Sequence, residues 1–103
     1  MRTPPIPTGF EASWIESPYK SIYVHWNDID KVTFELWKAT GDSQATYSLR
    51  AEGSMIGVFD QQIESYTIYF YKVRSKNKQG TYSYFTSPVF ATSGNMSGDT
   101  GDT

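Results

Sequence analysis

His25 is the one histidine of the sequence, so Ser–His or His-ligated metal chemistry would have to pass through it. It lies between Tyr23 and Asn27 on the outward phase of a strand-like run. Nothing near it in sequence completes a triad or a metal set, and we read it as a solvated strand residue. Asp28 and Asp30 flank Ile29 and could open a calcium loop, but residues 31–33 supply no further carboxylate. They read as turn carboxylates. A carboxylate pair for glycoside hydrolysis needs a cleft, which a domain this small rarely has. The repeat Gly98-Asp99-Thr100-Gly101-Asp102-Thr103 reads as linker. Asn95-Met96-Ser97 fits the N-glycosylation acceptor pattern, a short pattern that chance produces often. There is no cysteine, hence no thiolate nucleophile, no disulfide framework and no zinc site of the usual kind. These residues yield no catalytic, cofactor-binding or metal-binding assignment, and the expectation is that the chain is not an enzyme.

The sequence's 103 residues correspond to about one domain, long enough for one modest two-layer core. Aromatic residues make up 17% of it, chiefly eight tyrosines and six phenylalanines, and these favour pleated, half-buried surfaces. Net charge is −2 with both signs interspersed, which argues against nucleic acid as a partner. The apolar runs are too short for membrane insertion, and the first residues lack the apolar core of a signal peptide.

Residues 1–8 hold three prolines, Pro4, Pro5 and Pro7, and read as a stiff proline-rich linker. Residues 93–103 are rich in Ser, Gly, Asp and Thr and read as a flexible tail or linker. The domain is expected over 9–92. Within it, period-2 runs alternate with turns. Strands are predicted over 9–14, 21–26, 32–39, 46–49, 54–59, 67–75 and 81–92, the last interrupted by Pro88. Turns are expected at Gly41-Asp42-Ser43, at Glu52-Gly53 and over 77–80. The inward phase takes Ile22, Val24, Trp26, Phe34, Leu36, Tyr69, Tyr71 and Val73. The fold class is all-β, a seven-stranded antiparallel Greek-key sandwich.

Several of these residues resemble the fibronectin type III family of immunoglobulin-like domains, over about 5–92. The prolines before Gly9-Phe10-Glu11-Ala12 resemble its first-strand entry. Trp26 resembles its core tryptophan, and Phe34-Glu35-Leu36 its third strand. The most specific stretch is residues 63–75, with an aliphatic residue six places before Tyr69. The resemblance implies that the Tyr69 hydroxyl bonds backbone a few residues upstream, as a tyrosine corner. Ser65-Tyr66 stands where the family usually has Pro-Gly. Asp60 and the Tyr-x-Tyr-x-Val run resemble the bacterial and viral members.

The same phase predicts a surface. If Tyr69, Tyr71 and Val73 point in, then Phe70, Lys72 and Arg74 point out. Glu35 and Trp37 point out beside them, bordered by Tyr82 and Tyr84. This is the expected interaction face, against a plainer reading in which the rings only steady the sheet. The resemblance implies a structural or adhesion module that spaces or presents domains of a larger extracellular or virion protein, such as a phage tail. The alternative is a carbohydrate-binding or linker module of a secreted bacterial polysaccharide-degrading enzyme. Expected partners are neighbouring domains, another protein or a cell-surface glycan, with no cofactor.

Overall fold

A computed structural model describes residues 3–97. The repeat over 98–103 lies outside the described residues. Seven strands form two antiparallel sheets packed face to face: β1 (Glu11–Ile15), β2 (Ser21–His25), β3 (Thr33–Thr40), β4 (Ser48–Gly53), β5 (Gly57–Asp60), β6 (Ile68–Lys76) and β7 (Val89–Thr92). One sheet runs β1-β2-β5 and the other β4-β3-β6-β7. This is the sandwich expected from the alternating pattern.

The core sits between the sheets. Ile22, Val24, Phe34, Leu36, Tyr71 and Val73 are fully buried, and Trp26 and Tyr69 nearly so. Pairing across the strands explains the set. Phe34 faces Ser75 and Leu36 faces Val73, while Trp14 faces Ile22 and Ala12 faces Val24, so each sheet turns one apolar phase inward. Trp26 follows directly after β2 and packs edge-on against both Phe10 and Phe34.

Strand ends shift where local chemistry overrides alternation. Glu52 and Gly53, expected as a turn, belong to β4 and pair with Glu35 and Phe34. The reversal falls later, and β5 begins at Gly57 rather than at residue 54. The predicted last strand is regular only over Val89–Thr92. Before it, Ser83 and Thr86 donate backbone N–H groups to Ser75 and Val73 carbonyls, and Tyr71 pairs with Val89. The ladder therefore slips by one residue twice between Ser83 and Val89, next to Pro88, which has no N–H to give.

The corner between β5 and β6 keeps its register without glycine. Tyr66 adopts φ 54°, is largely exposed, and donates its N–H to the Gly94 carbonyl. The left-handed region costs a non-glycine residue about 1 kcal/mol. Tyr66→Gly should therefore raise stability by about 0.5–1 kcal/mol, and Tyr66→Val should lower it, in urea unfolding. Equal midpoints for the two variants would disprove the strain. Tyr69 completes the corner: the Glu64 N–H donates to its hydroxyl at 2.7 Å, the upstream backbone bond that the resemblance implied.

Candidate functional site

The predicted interaction face lies on the outside of the four-stranded sheet. β3 and β6 place Trp37 opposite Lys72 and Glu35 opposite Arg74. Arg74 donates from Nε and Nη2 to Glu35 Oε1, each at 2.9 Å, and Trp37 Nε1 donates to the same oxygen at 3.1 Å. Burial alone would raise the Glu35 pKa. Hydrogen bonds from Trp37, Arg74 and Tyr82, with the charge of Arg74, outweigh it and leave the carboxyl below its ordinary value. Glu35 is thus on the outward phase yet nearly buried.

Rings and cations alternate across this face. Lys72 Nζ lies 4.3 Å from the ring centres of both Tyr47 and Phe85. The Arg74 guanidinium lies 3.7 Å from Tyr82, 4.7 Å from Phe85 and 5.9 Å from Trp37. Such contacts are worth about 0.5–2 kcal/mol each according to exposure. Phe85 was not anticipated. The first slip beside β6 moves it over the sheet and turns Tyr84 off the edge, where Tyr84 is 80% exposed and outside the cluster. Phe70 packs on Phe90, with ring centres 5.7 Å apart, rather than on Trp37. Of the expected set, Glu35, Trp37, Lys72, Arg74 and Tyr82 come together; Phe70 and Tyr84 do not join them.

Two tests follow from this arrangement. Arg74→Ala should cost about 2–3 kcal/mol in urea unfolding, because Glu35 keeps its burial and loses its cation; a cost under about 0.5 kcal/mol, the level of an exposed pair, would contradict the network. The Tyr47 hydroxyl is buried and has no hydrogen-bond partner among the described residues, and burial pushes its pKa up, aided by Asp42. Tyr47→Phe keeps the ring under Lys72 and should leave stability unchanged or raise it by up to about 1 kcal/mol. A clear loss would reveal a partner for the hydroxyl.

The second charged cluster is inside the sandwich. β5 pairs Asp60 with Ile22 on the core phase, and β3 pairs Lys38 with Tyr71 on the same inner face. β4 contributes Arg50 through a bulge, since Leu36 pairs with Ala51 and Trp37 with Leu49; the extra residue turns inward beside its neighbour. Asp60 is wholly buried. Its Oδ1 accepts from Arg50 Nε at 2.9 Å and from the Gln62 N–H at 3.0 Å. Its Oδ2 accepts from the Tyr71 hydroxyl at 2.6 Å and meets Lys38 Nζ at 2.8 Å. Burial would raise the Asp60 pKa, but bonds from Lys38, Tyr71 and Arg50 win and hold it below the usual carboxylate range. Burial, and then the neighbouring Asp60, drive the Tyr71 phenol far above its ordinary range.

The residues first weighed for chemistry stay apart. The His25 ring stacks on Tyr23 at 4.8 Å, and its Nε2 lies 3.6 Å from Glu11. Asp28 Oδ1 accepts the Ile29 N–H, as a turn carboxylate does. Among the described residues no group of three or more His, Asp or Glu side chains lies close enough to hold a metal ion.

No family model matches the chain, and no curated protein matches it. Solved structures do resemble it. A fibronectin type III-like protein from Clostridium thermocellum superposes with a TM-score of 0.74 at 18% identity, over 87% of this chain and 93% of that one. A domain named FN3tt gives 0.75 at 20% identity, over 91% and 98%. The fibronectin type III domain of human fibronectin type III domain containing protein 3 gives 0.72 at 16% identity, over 95% and 93%. The chain is a small domain with the fibronectin type III fold.

Proposed function

We propose that the chain is a non-catalytic module that spaces or presents neighbouring domains of a larger extracellular or virion protein. The observation that carries this reading is where the chain enters and leaves. Residues Thr3, Pro4 and Pro5 lie beside Asn77 and Gln79, and the Pro5 carbonyl accepts from the Ser75 hydroxyl, at the far end of β6. At the near end Ser93 bonds the backbone of Thr67 and Met96 bonds Ser65. Nine residues of β6 separate these points, roughly 30 Å at about 3.3 Å per residue. A chain that enters one end of a stiff sandwich and leaves at the other holds its neighbours apart.

Sugar stacking on Trp37 and Phe70 is the less favoured reading of the outer face. Arg74 and Phe85 already lie against Trp37, and Phe90 lies against Phe70. The test is an exchange: an unrelated sandwich of equal end-to-end length replaces this domain in its parent chain. Retained assembly supports the spacer. Lost assembly with the parent still folded overturns it.

A further inference from the structure

Two clefts flank Lys38. One, of about 370 Å³, is lined by Lys38, Thr40, Thr46, Ser48, Arg50 and Gln62 among others. The second, of about 490 Å³, shares Lys38, Thr40 and Gln62 with it. At the floor, two cations whose side chains are 12% and 17% exposed share one carboxylate of 0% exposure. The second cleft carries Glu64, but no carboxylate lines the first, so there one positive charge is left over in a partly desolvated place, where charge acts more strongly than in water; Lys38 Nζ also donates to the Gln62 carbonyl. Asp60 has no capacity to spare, since each of its oxygens already meets two donors. Arg50 reaches Asp60 through Nε and is itself part of the lining of the first cleft.

We propose that this cleft binds an acidic sugar residue, with the carboxylate on the Arg50 Nη edge and Lys38 and the ring hydroxyls on Thr46, Ser48 and Gln62. A surplus of one charge fits a monoanion and not a phosphate dianion. The planar guanidinium edge matches a carboxylate in two parallel bonds. The rest of the lining is neutral hydroxyl and amide, with Leu49 and Ala45 as small apolar surface. That mixture of short polar groups and apolar patches suits a polyhydroxylated ring. The site is independent of the outer aromatic face, and binding here is compatible with a spacing role without depending on it.

The experiment is a titration of the full chain, followed by backbone amide NMR, with digalacturonate, the neutral disaccharide galactobiose and sodium acetate. Digalacturonate should move the Ser48, Leu49 and Gln62 amides saturably, with a Kd on the order of 1 mM. Galactobiose should not move them, and acetate should bind about tenfold more weakly. Added salt should weaken the uronate complex. Arg50→Lys keeps the charge beside Asp60 but loses the planar edge, and should weaken binding about fivefold. Ser48→Ala lies at an exposed strand edge and should weaken it about threefold with unfolding unchanged. No saturable shift up to about 20 mM would overturn the proposal. So would equal response to galactobiose, or acetate binding as tightly as the uronate. These readouts concern binding alone, so the spacer role stands or falls separately.

Discussion

Replacing Asp60 by alanine should destabilise the domain by about 3–5 kcal/mol, because it strands two nearly buried cations. Lys38 and Arg50 lose their carboxylate, the Tyr71 hydroxyl loses its acceptor, and the Gln62 N–H loses its own. Such a loss is a large part of the whole stability of a small domain. Urea unfolding at neutral pH measures it. Where the alanine variant does not fold, Tyr71→Phe gives a graded reading: it removes one donor from Asp60, keeps the ring, and should cost about 1–3 kcal/mol. Lys38→Met, Arg50→Met and Asp60→Leu together should cost far less than Asp60→Ala alone, since no unpaired charge is left inside. A triple variant as unstable as the single one would show that packing, not charge, is what Asp60 supplies.

The same group sets an acid limit. The folded pKa of Asp60 lies below its ordinary value, so its contribution is fully present above the unfolded carboxylate pKa of about 3.9 and is lost as pH falls through the folded value. Glu35 is lowered as well and has the same sign. The urea midpoint should therefore fall as pH drops below about 4. The triple variant, which lacks Asp60, should show a shallower fall, with the Glu35 contribution remaining.

How much of this was legible depends on where alternation holds. Along β6 it holds without interruption, with Tyr69, Tyr71, Val73 and Ser75 all buried. The core and the sandwich could therefore be read from that strand and from Phe34 and Leu36. Carrying the same phase two residues further would have placed Lys38 inward after Leu36, and Asp60 inward after Val58. Charge is a poor guide to burial unless a partner is known, and the partner here is nonlocal. Arg50 could not be read at all, since only the bulge in β4 turns it toward Asp60. Phe85 and Tyr84 exchange places for a related reason: period-2 counting from Tyr82 fails at the first slip. Strand phase thus places Glu35, Trp37, Lys72, Arg74 and Tyr82 on the outer face, while Phe70 and Tyr84 lie outside the cluster and Phe85 spans both cations.

Removing residues 1–8 should cost about 2–4 kcal/mol, although their three prolines read in sequence as a linker. A linker makes few contacts, and its loss would move the urea midpoint hardly at all. Here Pro4 and Pro7 are buried. The Pro5 carbonyl accepts from Ser75, a hydroxyl that is itself wholly buried. The Thr8 carbonyl accepts the Asn27 N–H at 2.9 Å, and its hydroxyl accepts from Asn27 Nδ2 at 3.2 Å. Deletion therefore removes the buried Pro4 and Pro7 and opens several hydrogen bonds together. Proline makes the segment inexpensive to order, because its φ is fixed before docking. The deletion should also raise the denaturant slope of the native state little, since the sheets remain paired, so the loss should appear in the midpoint. Ser75→Ala separates the two contributions: it keeps the prolines and removes one bond, and should cost about 1 kcal/mol. A deleted chain with the midpoint of the full one would show that residues 1–8 add nothing to the stability of the fold.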